Sequence, residues 1–491
     1  MKNAGNIISR TAIYGIGTIL RGLASFILLP LYTSYLTAAD YGLVELLSIV
    51  LDLTILLLGS RVAVGVFKFY SDAPDAAEKN RVIGSALFLM LIANAVALVV
   101  LFFTAEGLSI VLQAPEGFDN ALRVFALSIV FGGINEIYYG YLRIEDHPVQ
   151  YVAANLFKLI TQIALNIFFI VYMGMGYWGI ILGTVLSNAI QTTLFALWLM
   201  PGIGFRIGRT HCRNLVTFSL PIILSSLGMY YITFGDRYFI QYFQGIDAVG
   251  VYALAYKFGF MLFALVWAPF STFWSAQQFD YAKQPGAAKL FGNVFFFTNI
   301  LLVTAAAGIS VLAPHFIHLF SQPGYWGAID VIPWIVAAYV IQCWTEYMRF
   351  GILQAAQTRY IAYATFITVF FITLFYIYWI PHEGPVGAAK ATLAAFIIRF
   401  GFVYFYAQRL FPIAIPWVRL ISLLMYFTII SFSLVLLKMP DKWAFFVKGF
   451  AVALGLFVLF LTPIVSSGDR ENVWLYVRQN LKGIFRRCSS E

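Results

Sequence analysis

Charge is what this sequence has least of. Only 11% of its 491 residues are Asp, Glu, Lys or Arg, against about 25% in soluble globular proteins. A chain this size with so few charges cannot clothe a water-facing surface, and no stretch between its apolar runs is long enough for a soluble domain. Cysteine is also scarce. Cys212, Cys343 and Cys488 lie far apart with no CxxC or Cys/His spacing, which excludes a disulfide framework and a cysteine-based metal site. Acids are outnumbered, giving a formal net charge of +9. The basic residues, however, sit in short loops and inside apolar runs rather than on one exposed face, so nucleic acid is excluded as a partner. Gly15-x-Gly17 and Gly202-x-Gly204 lack the strand that a phosphate loop needs, and His315 and His318 have no further ligands nearby in sequence. No cofactor and no metal are expected.

What is abundant is apolar: 61% hydrophobic residues, 18% aromatics and a mean hydropathy of +0.84. About 20 apolar residues are needed for a helix to cross a ~30 Å hydrocarbon core, and such runs follow one another from end to end. The reading is an all-α polytopic membrane protein of about fourteen spans. They fall near 12–35, 41–64, 82–103, 120–142, 149–172 and 178–200, then 215–235, 249–273, 290–312, 329–351, 360–380, 386–409, 416–437 and 443–464. The first run, flanked by Lys2 and Arg10, is too long for a secretory signal, contains Arg21 and lacks a small-x-small cleavage site. With the N-terminus inside, eighteen Lys and Arg fall in inner segments and three (Arg237, Lys438, Lys442) in outer loops. That bias puts both termini in the cytoplasm.

An internal repeat emerges at an offset near 210. Asn135-Glu136-Ile137-Tyr138 matches Thr345-Glu346-Tyr347-Met348, Tyr177-Trp178-Gly179 matches Pro385-Val386-Gly387, and Gln113-Ala114-Pro115 matches Gln322-Pro323. Six spans per half insert the same way up, so the repeat is parallel, with two similar bundles facing a central cavity. The expected division is an N-terminal lobe at 1–205, a C-terminal lobe at 206–412, two extra helices at 413–465 and a cytoplasmic basic tail at 466–491.

Polar residues inside spans are costly and mark function. Tyr14, Thr18, Arg21 and Ser25 form one stripe on span 1, and Glu45, Ser48, Asp52 and Gly59 another on span 2. Arg21 either pairs with Glu45 or Asp52 or meets an anionic substrate. The two acids pair, bind a coupling cation or line water. Arg61 near the inner end of span 2 snorkels or faces the cavity, and Arg399 sits at mid-depth of span 12. Lys158, Lys257, Arg349 and Lys390 lie nearer span ends, where local pairing competes with a cavity role. Glu136 and Glu346 are ion-pair or gating candidates. Asp236 and Arg237 adjoin at the expected outer end of span 7, as a cap or gate, and Pro221 and Gly228 are points where that helix can bend. Ten Lys or Arg within spans against far fewer acids, Glu45, Asp52, Glu136 and Glu346 among them, favour an anionic cargo, and arginine suits phosphate through its planar fork.

These residues resemble a known family. Pro30-Leu31-Tyr32-Thr33 followed by Asp40-Tyr41-Gly42, and Asp236-Arg237-Tyr238 followed by Val249-Gly250-Val251-Tyr252, look like the polysaccharide-biosynthesis flippases. These include the O-antigen and exopolysaccharide exporters of the multidrug/oligosaccharidyl-lipid/polysaccharide superfamily. The resemblance implies two six-helix lobes, alternating access and a lipid-diphosphate-linked oligosaccharide as cargo. It also implies a bacterial or archaeal plasma membrane and pathway partners such as a polymerase and glycosyltransferases. Arg21 and Arg61 match cavity arginines of the related lipid II flippases in helix and depth, and spans 13 and 14 match the pair that guides the lipid tail. An added proton or sodium gradient is permitted but not required. A multidrug extruder of the same superfamily would want an acidic cavity, and a membrane polymerase or ligase a large outer loop. A passive scramblase or structural protein stays open.

Overall fold

The computed structural model describes residues 26–58, 62–204, 206–437 and 439–465. Arg21, Arg61 and the basic tail lie outside the described residues. With no water in the hydrocarbon core, backbone groups must bond within their own segment, and the described chain is helical with no strand.

In the first half α1 (Leu29–Tyr35) ends the first span, and α2 (Ala38–Leu58) and α3 (Val62–Ser71) make the second. They are followed by α4 (Ala76–Val111), the pair α5 (Phe118–Phe125) and α6 (Leu127–Ile144), then α7 (Pro148–Asn166) with a π-helical turn at Ile167–Tyr172, and α8 (Tyr177–Ile203). The second half comprises α9 (Arg209–Gln244), α10 (Ile246–Leu262) continued by a π-helical turn at Phe263–Trp267 into α11 (Ala268–Tyr281), α12 (Ala287–Phe320), α13 (Ala328–Gln354) and α14 (Arg359–Leu410). Two more helices, α15 (Trp417–Leu436) and α16 (Asp441–Leu459), pack on α12. Gly384 divides α14 into the eleventh and twelfth spans. Among the described residues nine helices, α14 included, are long and apolar enough to cross a bilayer.

Local chemistry explains the element ends. Asp75 caps α4 by accepting the Glu78 N–H at 2.7 Å, satisfying one of the orphan donors of a helix start. The π turn in α10 runs into Pro269, whose missing N–H would leave a carbonyl unpaired in a regular helix; the extra residue absorbs the mismatch. Phe103, Phe366, Val418 and Phe446 are each at least 70% exposed. In water they would be a defect; in a bilayer they are the lipid face.

The repeat is written into the backbone at an offset of 208–210. Gly176 (φ 55°, ψ −135°) opens the sixth span and Gly384 (φ 56°, ψ −132°) the twelfth, a conformation open essentially to glycine alone. Where α2 crosses α10, Gly42 lies against the Ile246 carbonyl and Gly250 against the Ala38 carbonyl. Each contact is therefore the image of the other under one shift of 208. The linkers obey the same shift, Arg206 lying on Gly84 and Ala414 on Gly292. The two halves are thus related by a pseudo-twofold axis that passes through the α2–α10 crossing.

That symmetry also closes the outer face. The Gln241 side-chain amide of α9 donates to the Gln113 carbonyl at 2.8 Å, and the Gln322 N–H donates to the Thr33 carbonyl at 3.0 Å. Thr33 and Ser34 hydroxyls donate to the Phe320 carbonyl, and the Tyr325 hydroxyl to the Thr37 carbonyl at 2.8 Å. Each lobe's first helix is thereby stitched to an outer loop of the other lobe.

Candidate functional site

Just inside this seam two cavities meet. The one in the N-terminal lobe, of about 430 Å³, is lined by Tyr32, Glu45, Asn135, Glu136, Asn155, Lys158, Gln162 and Thr184 among others. The one in the C-terminal lobe, of about 330 Å³, is lined by Met229, Thr233, Arg237, Tyr256, Tyr339, Gln342 and several phenylalanines. Glu45 of α2 and Lys257 of α10 line both. Lys257 feels the Asp52 carboxylate but makes no hydrogen bond among the described residues.

Arg237 lies at this waist and corrects one sequence expectation. The expected span 7 stops at 235, leaving Asp236 and Arg237 at the outer rim. In the structure α9 runs on to Gln244 and both side chains are buried, at 0% and 1% exposure. The reason is charge balance: a hydropathy pattern ends where charges begin, but opposite charges that neutralise one another inside the protein leave the helix free to continue. Arg237 Nη1 donates to Asp236 Oδ1 at 2.7 Å and to the Thr233 carbonyl at 2.8 Å. Asp236 Oδ2 accepts the Tyr252 hydroxyl at 2.6 Å. The guanidinium stacks 4.0 Å over the Tyr256 ring, a cation–π contact strengthened by desolvation. Across the lobe boundary, Arg237 Nε stands 3.5 Å from Glu45 Oε1.

Arg399 is buried behind the second cavity rather than in its lining. Its Nη1 donates to Gln342 Oε1 at 3.2 Å and its Nη2 faces Met229 Sδ at 3.3 Å, both partners being cavity residues. Gln342 in turn donates to Glu346, which pairs with Arg349 at 2.9 Å. A chain of polar groups therefore runs from the cavity wall toward the half-exposed Arg349. Glu136 and Lys158 face the N-terminal cavity, and Asp52 is exposed within electrostatic reach of Glu45 and Lys257. Lys390 is bound to Glu383 at 2.5 Å. α9 passes Pro221 and Gly228 as one unbroken helix, with Gly228 against Thr365 of α14. His315 and His318 lie in the last turns of α12. Among the described residues no group of three His, Cys, Asp or Glu is gathered.

Residues missed from the sequence are Gln342, Met229 and the Tyr252/Tyr256 pair. The tyrosines had a signal: an i, i+4 spacing on the helix after Asp236-Arg237 puts two rings on one face. Gln342 and Met229 are ordinary in-span residues, and only packing shows that they carry Arg399.

Two like-oriented helical bundles around a polar waist, with two helices outside, define a polytopic α-helical membrane protein built on an internal repeat. The chain belongs to the polysaccharide biosynthesis protein family, whose model matches residues 34–322. Among solved structures it is similar to the lipid II flippase MurJ in an inward closed conformation, at 14% identity over 94% of this chain and 98% of that chain, with a TM-score of 0.73. An inward-facing multidrug resistance MATE family transporter of the MOP superfamily gives 17% identity over 84% and 95% of the two chains, with a TM-score of 0.65. A MOP superfamily transporter from Pyrococcus furiosus, described by a reverse polarity of its binding pocket, gives 15%, 84%, 96% and 0.55. At these identities the likeness is one of fold. No curated protein matches the sequence.

Proposed function

We propose that this protein flips a polyprenyl-diphosphate-linked oligosaccharide from the cytoplasmic to the outer leaflet of a bacterial or archaeal plasma membrane, by alternating access, for cell-surface polysaccharide synthesis. The observation that carries the reading is Lys257, a cation shared by both cavities and free of hydrogen bonds to described residues, with Arg237 beside it and Arg399 behind the wall. A phosphate arriving at the waist finds cationic donors of the C-terminal lobe facing the space that both cavities share. The N-terminal cavity supports the sugar part of the reading, since Asn155, Gln162, Thr184 and Tyr32 line it with amides and hydroxyls suited to sugar hydroxyls.

The membrane potential supplies the drive. A diphosphate with about two negative charges leaving a negative-inside cell gains ~2.3 kcal/mol per charge per 100 mV, or about 4–5 kcal/mol in all. Proton or sodium coupling through Glu45 or Asp52 is an addition this energy does not require.

The test is reconstitution in liposomes with a fluorescent polyprenyl-diphosphate saccharide, reading protection from a membrane-impermeant quencher. Wild-type protein should move the lipid, and a Lys257→Ala, Arg399→Ala variant that inserts normally should not. Proteoliposomes that leave the lipid in place but extrude a lipophilic cation would replace this reading with that of a multidrug extruder.

A further inference from the structure

Among the described residues, the waist holds a carboxylate, Glu45, that makes one long ion-pair contact and no hydrogen bond. Arg237 is already fixed within its own lobe by Asp236, the Thr233 carbonyl and the Tyr256 ring. Glu45 approaches only Nε, at 3.5 Å, and that N–H makes no hydrogen bond although it is buried. The Glu45 side chain is 14% exposed, has no described hydrogen bond, and borders both cavities, as Lys257 does. A buried donor without a partner is costly, so Arg237 has one position held open toward the place where Glu45 stands.

We propose that Glu45 is an internal stand-in for the cargo's phosphate. It occupies the anion position between Arg237 and Lys257 in the empty carrier and gives way when a diphosphate enters. This rests on the lipid-diphosphate reading given above. A phosphate oxygen takes the Nε–H in a direct charge-assisted bond and the Lys257 ammonium in another. Its charge repels the carboxylate, and the displaced Glu45 no longer ties α2 to α9. Cargo binding thus removes an ion pair that spans the lobes just beneath the outer seam. The cargo is favoured for the state in which the seam parts, which is what a ligand needs in order to shift a two-state equilibrium.

The experiment measures affinity of the full-length detergent-solubilised protein for farnesyl diphosphate, inorganic pyrophosphate and farnesol. With its competitor removed, Glu45→Gln should bind farnesyl diphosphate about tenfold more tightly than wild type, the scale of one such pair, while flipping more slowly in liposomes. In an Arg237→Lys background, which keeps the charge but lacks the Nε–H, the gain should disappear. An equal gain for pyrophosphate places recognition in the phosphates alone, and a gain confined to farnesyl diphosphate adds the chain; farnesol should not respond. If wild type binds farnesyl diphosphate and Glu45→Gln binds it no better, or the gain survives Arg237→Lys, the stand-in role is overturned while the flippase reading stands. If wild type and all variants ignore both diphosphates, both are overturned.

Discussion

Alanine at Gly42 or Gly250 should wedge the two lobes apart. A Cβ on Gly250 would overlap the Ala38 carbonyl oxygen and sit 2.8 Å from its carbon and 3.1 Å from Gly42 N. A Cβ on Gly42 would overlap the Ile246 carbonyl and sit 2.9 Å from Gly250 N. Carbon contacts relax at about 3.5–4.0 Å, so α2 and α10 must part by roughly 1 Å. Everything struck is helix backbone, which has no rotamer to yield. The cost therefore belongs at the top of the overpacking range of ~1–3 kcal/mol. Because both substitutions widen one crossing, the double variant should cost clearly less than the two single variants together. Unfolding in mixed micelles gives the energies, and spin-label distances between the α1–α2 and α12–α13 outer loops give the opening. Export should fall for both variants alike. Single variants as stable as wild type, or strictly additive costs, would refute a shared backbone crossing at the pseudo-twofold axis.

Arg399→Ala combined with Arg21→Ala should abolish export while membrane insertion, read by fractionation, stays normal; full export by the double variant would sink the cationic-cavity reading. Gly176→Ala and Gly384→Ala should each cost ~1–3 kcal/mol in the same unfolding assay, because both hold a glycine-only backbone conformation, and by the repeat the two costs should match. Tyr325 donates its buried hydroxyl to the Thr37 carbonyl at 2.8 Å across the outer seam, so Tyr325→Phe, which leaves that carbonyl unpaired, should cost about 1 kcal/mol in the same unfolding assay, and no loss would count against the sealed outer seam.

Long-range organisation was legible in the sequence where it rests on hydropathy. The six-plus-six repeat followed from runs of apolar residues and short matched loops, because a bilayer demands helices of set length and leaves little else to vary. Asp236-Arg237 was misplaced for the same reason: hydropathy counts charges singly and cannot see that Glu45, some 190 positions earlier, and Tyr252, on the next helix, absorb them. Gly42 and Gly250 were visible as motif residues, yet their role is a close approach between chain segments some 208 positions apart, and no local pattern encodes that distance.

The tally of cations in spans also changes meaning once partners are known. Arg123 is spent on Asp119, Lys390 on Glu383 and Arg349 on Glu346, each beside its own helix end. Arg237 is balanced by Asp236. Among the described residues, what borders the cavities is closer to parity, with Lys158 and Lys257 set against Glu45 and Glu136. From these residues an anionic cargo gains through exchange, replacing a carboxylate that holds its donors poorly, in addition to any field of the other cations. The outer seam is made of carbonyls, amides and a glycine crossing, none of which changes charge when cargo binds. A charged ligand acts on this protein through the waist, and Glu45 is the waist residue that both meets the cargo and holds the lobes together.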